Sequence, residues 1–406
     1  MSEGGHLFKD GVRLRCVACG YAAEADPWLF LCPRCGNLME VVMPGAGGFD
    51  WESARRRRFG VWRYRELLPL SDGVVPVTLG EGGTPLIKVA RVSSGSVFVK
   101  FEGANPTGSF KDRGMTVGVT IAKHLGVEGV LVASTGNTAA SAAAYAARAG
   151  LRCVVVLPRG GVAKGKLAQA FLHGAEILEV DGVFDDALKE VLEEAVVKGR
   201  RDLYPLNSYN PWRLEGQKTL AFELVDELGE PPDCVVVPVG NAGNISAIWK
   251  GFRELYEFGL ASKLPRMIGV QAEGAAPLVK TWASRSNSLV AVEKPVTVAS
   301  AIRIGKPVNW LKALKAVDES RGALLAVSDE EIIKSMRDLA ALEGVGVEPA
   351  SAASLAGYRK ALELGVIDED SVTVLVATGH ALKDPDVVSK FSDAARAAQK
   401  QTRALH

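Results

Sequence analysis

At 406 residues the chain is long enough for two or three domains and a large buried core. Its 48% hydrophobic and 23% charged residues describe an ordinary soluble globular protein. A formal net charge of +1 offers no field for nucleic acid or an anionic membrane, and no window approaches an uninterrupted membrane span.

The residues before Cys16 include Glu3, His6, Lys9 and Asp10, so there is no apolar signal core and a cytoplasmic location is expected. Four of the six cysteines follow at once, as Cys16-x-x-Cys19 and Cys32-x-x-Cys35, with Gly20 and Gly36 closing the pairs. Such knuckles can turn both thiolates of a pair toward one tetrahedral ion. Twelve residues separate the pairs, fewer than in the usual ribbon, but room enough for two short strands around Leu14 and Phe30. Three readings stand: a structural zinc on four thiolates with no open position, a disulfide or free-thiol remnant, and an iron–sulfur site. Cys153 and Cys234 sit in apolar runs and read as buried small hydrophobes.

A linker through Pro44-Gly-Ala-Gly-Gly48 ends this ribbon-like unit of residues 1–45. In the lead-in of about 50 to 90, Trp51, Trp62 and Tyr64 are expected to pack the ribbon onto the body. The basic run Arg55 to Arg58 reads as a solvated helix face, since a nucleic-acid surface would need a broader basic footprint. From about 90 to 385 strand-like and helix-like stretches alternate, which argues α/β with mostly parallel sheets.

Within that core the decapeptide Asn105 to Gly114, NPTGSFKDRG, places Lys111 between a Gly-Ser-Phe turn and the helix-compatible run MTVGVTIAKHL. A helix start leaves backbone N–H groups free, so an anion and an electrophilic carbonyl could sit beside this amine. A phosphorylated aldehyde cofactor needs that combination. Three later loops repeat one grammar of apolar run, polar turn and helix. They are Val130 to Ala133 with Ser134-Thr135-Gly136-Asn137-Thr138, Cys234 to Val239 with Gly240-Asn241-Ala242-Gly243-Asn244, and Val372 to Ala377 with Thr378-Gly379-His380. Apolar runs without alternation suit strands of a parallel sheet, whose carboxyl ends face ligands, so the turns can converge on one crevice. Gly240 and Gly243 allow close backbone approach to a phosphate and the helix near Asn244 offers its positive end. Asn137 can hydrogen-bond a phenolate oxygen, Thr378 brings a hydroxyl, and Lys111 is the Schiff-base amine. The GNAGN turn is neither a Walker A loop nor G-x-G-x-x-G, which disfavours a nucleotide.

Together these residues resemble the fold-type II pyridoxal-phosphate (PLP) enzymes, and within them the threonine synthase family. The likeness runs from about Glu81 to about Pro385, through EGGTPL, the lysine decapeptide, STGNTAASAAAYAARAG, NSYNPWRLEGQKT, PVGNAGNISAIW, GVQAEGAAPL, AIRIGKP, EPASAAS and ATGHALKDP. Ala381 departs from the glycine usual there. The resemblance implies two open, mostly parallel sheets of the tryptophan synthase β type. A small domain of residues 120–218 would be inserted in a large one of 46–119 and 219–406.

It further implies that O-phospho-L-homoserine and water give L-threonine and phosphate by β,γ-replacement, with Lys111 as general base and acid. PLP would be held by Lys111, Asn137, Gly240, Asn241, Ala242, Gly243, Asn244 and Thr378. Ser134, Thr135 and Thr138 would take the substrate carboxylate, and Asn207, Ser208 and Arg213 the leaving phosphate, because a guanidinium fork matches phosphate oxygens. Arg213 could equally be a surface ion pair, and His380 could orient its turn as well as act on substrate. Alternative activities are a threonine dehydratase and an O-phosphoserine-using cysteate or cysteine synthase. A cofactor-free protein-binding relative is opposed by the intact Lys111, Asn137 and GNAGN. A homodimer is expected, with neither nucleic acid nor membrane as partner.

Overall fold

The computed structural model describes residues 6–134, 136–159, 164–181, 191 and 201–391. Three sheets organise them. Arg13–Cys16 (β1), Ala22–Glu24 (β2) and Met39–Val42 (β3) make a small antiparallel sheet in the order β2-β1-β3. The expected strand at Leu14 is β1, but Phe30 is not in a strand. Its carbonyl accepts from Met39 N at 2.9 Å, and only a bridge between Leu31 and Leu38 follows. The Asp26 turn, with Oδ1 accepting from Trp28 N, folds the chain just before, and Pro33 has no N–H to extend a ladder.

Leu86–Lys88 (β4) and Val97–Phe101 (β5) open the largest sheet, and Gly129–Ala133 (β6), Arg152–Pro158 (β7), Glu176–Val180 (β8) and Leu203–Pro205 (β9) build the third. The largest sheet is completed by Cys234–Pro238 (β10), Arg266–Ala272 (β11), Ala323–Val327 (β12) and Thr373–Ala377 (β13), in the order β12-β11-β10-β13-β5-β4. Only the β4–β5 edge pair is antiparallel; the third sheet, β8-β7-β6-β9, is parallel throughout. The three runs read as doubly covered strands are β6, β10 and β13, and every residue in them is buried. Among the described residues no helix is long and apolar enough to cross a membrane.

The helix Lys111–His124 carries buried residues from Asp112 through Ala122, so it is a core helix between the layers. It lies against the helix Pro211–Gln217, and glycine permits the close approach. A Cβ on Gly216 would fall 1.8 Å from the Arg113 carbonyl oxygen, and one on Gly114 would meet Arg213 at 2.9 Å. Asp112 pins the turn before this helix by accepting from Thr107 N (2.7 Å) and Thr107 Oγ1 (2.6 Å). It also accepts from Ser141 Oγ on the helix Asn137–Ala149. Arg113 is buried between Glu102 and Glu223, which also accept from Thr84 Oγ1 and Gly83 N and so fix the EGGTP turn.

The ribbon docks differently from the expectation. Trp51 and Tyr64 pack with Phe49 and Phe222, away from it, while Trp62 donates to Thr116 Oγ1. The docking rings are Phe8, stacked on Trp212 at 3.9 Å, and Trp28 and Phe30, which meet Tyr204 and Tyr209 edge-on. Tyr64 belongs to the core that includes Phe49 and Phe222, with Trp51 packed against it, whereas Phe8 and Phe30 are buried in the core that the ribbon shares with Tyr204, Tyr209 and Trp212.

Candidate active site

Lys111 is the first residue of its helix, four positions before the MTVGV run that suggested one. The turn ahead of it is zipped to the Thr378-Gly379-His380 turn that follows β13. Phe110 N donates to Thr378 O (3.0 Å), His380 N donates to Gly108 O (2.9 Å), and Ser109 bridges Gly379. The lysine is half-buried with its amine 4.2 Å from the centre of the Phe110 ring. Burial lowers its pKa to about 7, the Arg213 charge pushes the same way, and Glu348 opposes both.

Glu348 organises the other side of the site. Its carboxylate is 4% exposed, and both oxygens accept from Asn137 Nδ2 at 3.1 Å. Thr378 Oγ1 lies 3.5 Å from one of those oxygens and 2.9 Å from Ser351 Oγ, which also accepts from Gly379 N. Lys111, Asn137 and Thr378 thus come together around one buried acid, whose pKa burial raises. His380 turns out to orient its own turn: Nδ1 accepts from Leu382 N and caps the short 3-10 turn Ala381–Lys383.

A second group meets at the ends of β10 and β9. The loop Gly240-Asn241-Ala242 leads into the helix Gly243–Glu257, with Ala242 in the left-handed region at φ 62°. Asn241 Nδ2 donates to Ser208 Oγ (2.8 Å) and its Oδ1 accepts from Val308 N, while Asn309 Nδ2 donates to Ser208 O. Asn244 Nδ2 is buried without a hydrogen-bond partner among the described residues. Asn207 is tied to the backbone of Ala133 through both ends of its amide, at 2.9 and 2.8 Å, so its side chain braces β6 and keeps one further N–H.

Arg213 is 1% exposed, which overturns the surface ion-pair alternative. Its Nε and Nη2 are buried with no hydrogen-bond partner among the described residues, and burial lowers its pKa to about 10. A buried, unpaired guanidinium is costly unless an anion joins it. Ser134 Oγ accepts from Gly136 N, and Thr138 lies in the first turn of the next helix. No described hydrogen bond links Ser134 or Thr138 to Lys111 or Arg213, and Thr135 lies outside the described residues.

Residues 77–379 match the family model described as pyridoxal-phosphate dependent enzyme. A threonine synthase of Methanocaldococcus jannaschii is 51% identical over 93% of this chain and 95% of its own. One of Methanosarcina acetivorans is 50% identical over 92% and 93%. This chain belongs to the threonine synthase family of pyridoxal-phosphate dependent enzymes. The fold is shared more widely: a maize serine racemase structure superposes with a TM-score of 0.63 at 20% identity, covering 78% of this chain and 93% of that one.

The residues present suit the family's cofactor. An amine with a pKa near 7 is available to a carbonyl, and a helix start carries a spare buried amide donor at Asn244. Sequence reasoning assigned no role to Glu348, Ser351 or Asn309. EPASAAS signals a helix start with proline at its first position, but nothing in it announces that Glu348 turns toward Asn137. Asn309 follows AIRIGKP with no signature at all.

Proposed function

We propose that the protein converts O-phospho-L-homoserine and water to L-threonine and phosphate, with PLP held by Lys111, Asn137, Thr378 and the Gly240–Asn244 loop. The observation that carries this choice of substrate is Arg213, a buried guanidinium beside Lys111 with two nitrogens unpaired among the described residues. A substrate with a side-chain phosphate supplies the missing anion, whereas threonine, the substrate of a dehydratase, does not.

Bound PLP would supply an electron sink that acidifies the hydrogens of the substrate carbon chain. Lys111 is suited to move those protons, since an amine titrating near 7 accepts and donates at neutral pH. It would take the Cα proton, then a Cβ proton, and return protons as water adds at Cβ. Thr378 would offer a hydroxyl, not a charge, to the pyridine nitrogen. Ser208 and Arg213 would hold the phosphate as it leaves, with Ser208 set in place by Asn241. The backbone beyond Ser134, together with Thr135 and Thr138, would take the substrate carboxylate.

The four ribbon thiols support a structural zinc. All Sγ atoms lie within 4.8 Å of one another, with Cys16–Cys35 at 3.5 Å and Cys19–Cys32 at 3.6 Å. Zinc–sulfur bonds of about 2.3 Å in a tetrahedron need sulfurs about 3.8 Å apart. We also assign 1–45 to the ribbon, 120–218 to a small domain containing β6–β9, and 46–119 with 219–406 to a large one.

The test is phosphate release from O-phosphohomoserine by the parent and by Arg213→Leu. Losing a charge-assisted contact at a buried site costs roughly 2–5 kcal/mol, so kcat/KM should fall at least about thirtyfold. The visible absorbance of bound PLP should stay, because its phosphate is held elsewhere. A small effect on turnover, or faster turnover of O-phosphoserine than of O-phosphohomoserine by the parent, would overturn the reading.

A further inference from the structure

The segment from Tyr204 to Arg213 has two sides. Tyr204, Tyr209 and Trp212 are buried against the ribbon: Tyr204 OH donates to Pro27 O (3.0 Å) and Trp212 Nε1 donates to Asp26 O (3.2 Å). Phe8 lies flat on Trp212, its ring tilted by 13°, and Phe30 meets Tyr209 at 5.9 Å. Asn207, Ser208 and Arg213, interleaved with these rings, turn to β6, to Asn241 and to the lysine helix. Asn210 holds the two sides in register, since its Oδ1 accepts from both Trp212 N (3.0 Å) and Arg213 N (3.2 Å). Trp212 and Arg213 are consecutive in the first turn of the helix Pro211–Gln217, so rotation of one rotates the other.

We propose that the ribbon is the back wall of the phosphate-gripping arm, with Phe8 and Phe30 as positioning residues that set where Arg213 points. The inference rests on the reading of Arg213 given above. Arg213 has the lysine helix on one side, through Gly114 and Gly118, and among the described residues no hydrogen-bond partner at Nε or Nη2. Its placement therefore comes from packing, and the packing behind its neighbour Trp212 is the ribbon's. The ribbon thus has a task in substrate binding that its distance in sequence conceals.

The test uses the PLP-loaded full chain and inorganic phosphate as the probe. KM for O-phosphohomoserine, kcat, and the inhibition constant of inorganic phosphate are measured for the parent, Phe8→Ala, Phe8→Leu and Arg213→Leu. An ångström of misplacement can cost up to about 10²-fold, and Phe8→Ala should raise both KM and the phosphate inhibition constant roughly tenfold. The change in kcat should be smaller, and PLP absorbance should be unaltered. Phe8→Leu keeps apolar volume without the ring stack and should fall between. If Phe8→Ala does not accumulate as folded protein, Phe8→Leu carries the same comparison against the parent. A lowered melting temperature with both constants unchanged would show that the ribbon only stabilises, and would overturn the inference. If Arg213→Leu weakens phosphate inhibition while neither Phe8 variant does, the inference alone fails. If Arg213→Leu also leaves phosphate inhibition intact, the Arg213 reading falls and the ribbon inference falls with it.

Discussion

At the scale of single residues the site is a balance of two cations and one acid. Arg213 and burial favour the neutral amine of Lys111, and Glu348 favours the ammonium. The signs make an experiment. In cofactor-free protein, labelling of Lys111 by an amine reagent should rise with a midpoint near pH 7, not near the ordinary lysine value of 10.5. Arg213→Leu removes a cation and should move that midpoint up; Glu348→Gln removes an anion and should move it down. Midpoints that stay put in both variants would show that burial alone sets the amine. Lys111→Ala should abolish turnover, and full activity in that variant would remove the lysine from the chemistry. Lys111 was legible from the turn that opens its helix, and Asn137 and Thr378 because each sits in a short motif at the end of an apolar run. Glu348 was not, because its role depends on a long-range turn pairing that no local pattern encodes.

At the scale of elements, the knuckles show how far local grammar reaches. Gly20 and Gly36 adopt φ of 72° and 71°, and their N–H groups donate to Cys16 O and Cys32 O, so both pairs close in the same way. That much follows from C-x-x-C-G. The three-stranded sheet does not, since β2 and β3 are three and four residues long and owe their existence to pairing with β1. Metal analysis should find about one zinc per chain. Cys32→Ser should lower the melting temperature while leaving PLP absorbance in place. Iron in place of zinc, or metal-free protein of equal stability, would refute the structural zinc. Lys218 shows the opposite case: its position near NSYNPWR makes it a tempting phosphate ligand. The structure instead buries it between Glu215 and Glu254, where its charge is already matched.

At the scale of the whole molecule, two parallel sheets were legible from β6, β10 and β13, whose uninterrupted apolar runs admit little else. How the sheets are held together was not, because it rests on polar side chains that sequence patterns treat as turn residues. Asp112 is the clearest instance: it is fully buried, beside Lys111, and accepts from Thr107 and from Ser141 on the helix that follows β6. Burial raises its pKa from 3.8 to about 6, and the donors from Ser141 and Thr107 pull it back. The folded state therefore holds a proton on Asp112 more readily than the unfolded chain does. Its contribution to stability is greatest at low pH and is lost as pH rises from about 4 through about 6. Ser141→Ala takes away one donor to the ionised form, so the pKa should rise further and the loss above pH 6 should deepen. A hydrogen bond to a buried charged group is worth about 1.5–3 kcal/mol. Thermal melts of Ser141→Ala and the parent should accordingly diverge more at pH 8 than at pH 4.5, with the variant lower. A difference that is the same at both pH values would mean that Ser141 contributes packing alone, and that the two sheets are not joined through the charge on Asp112.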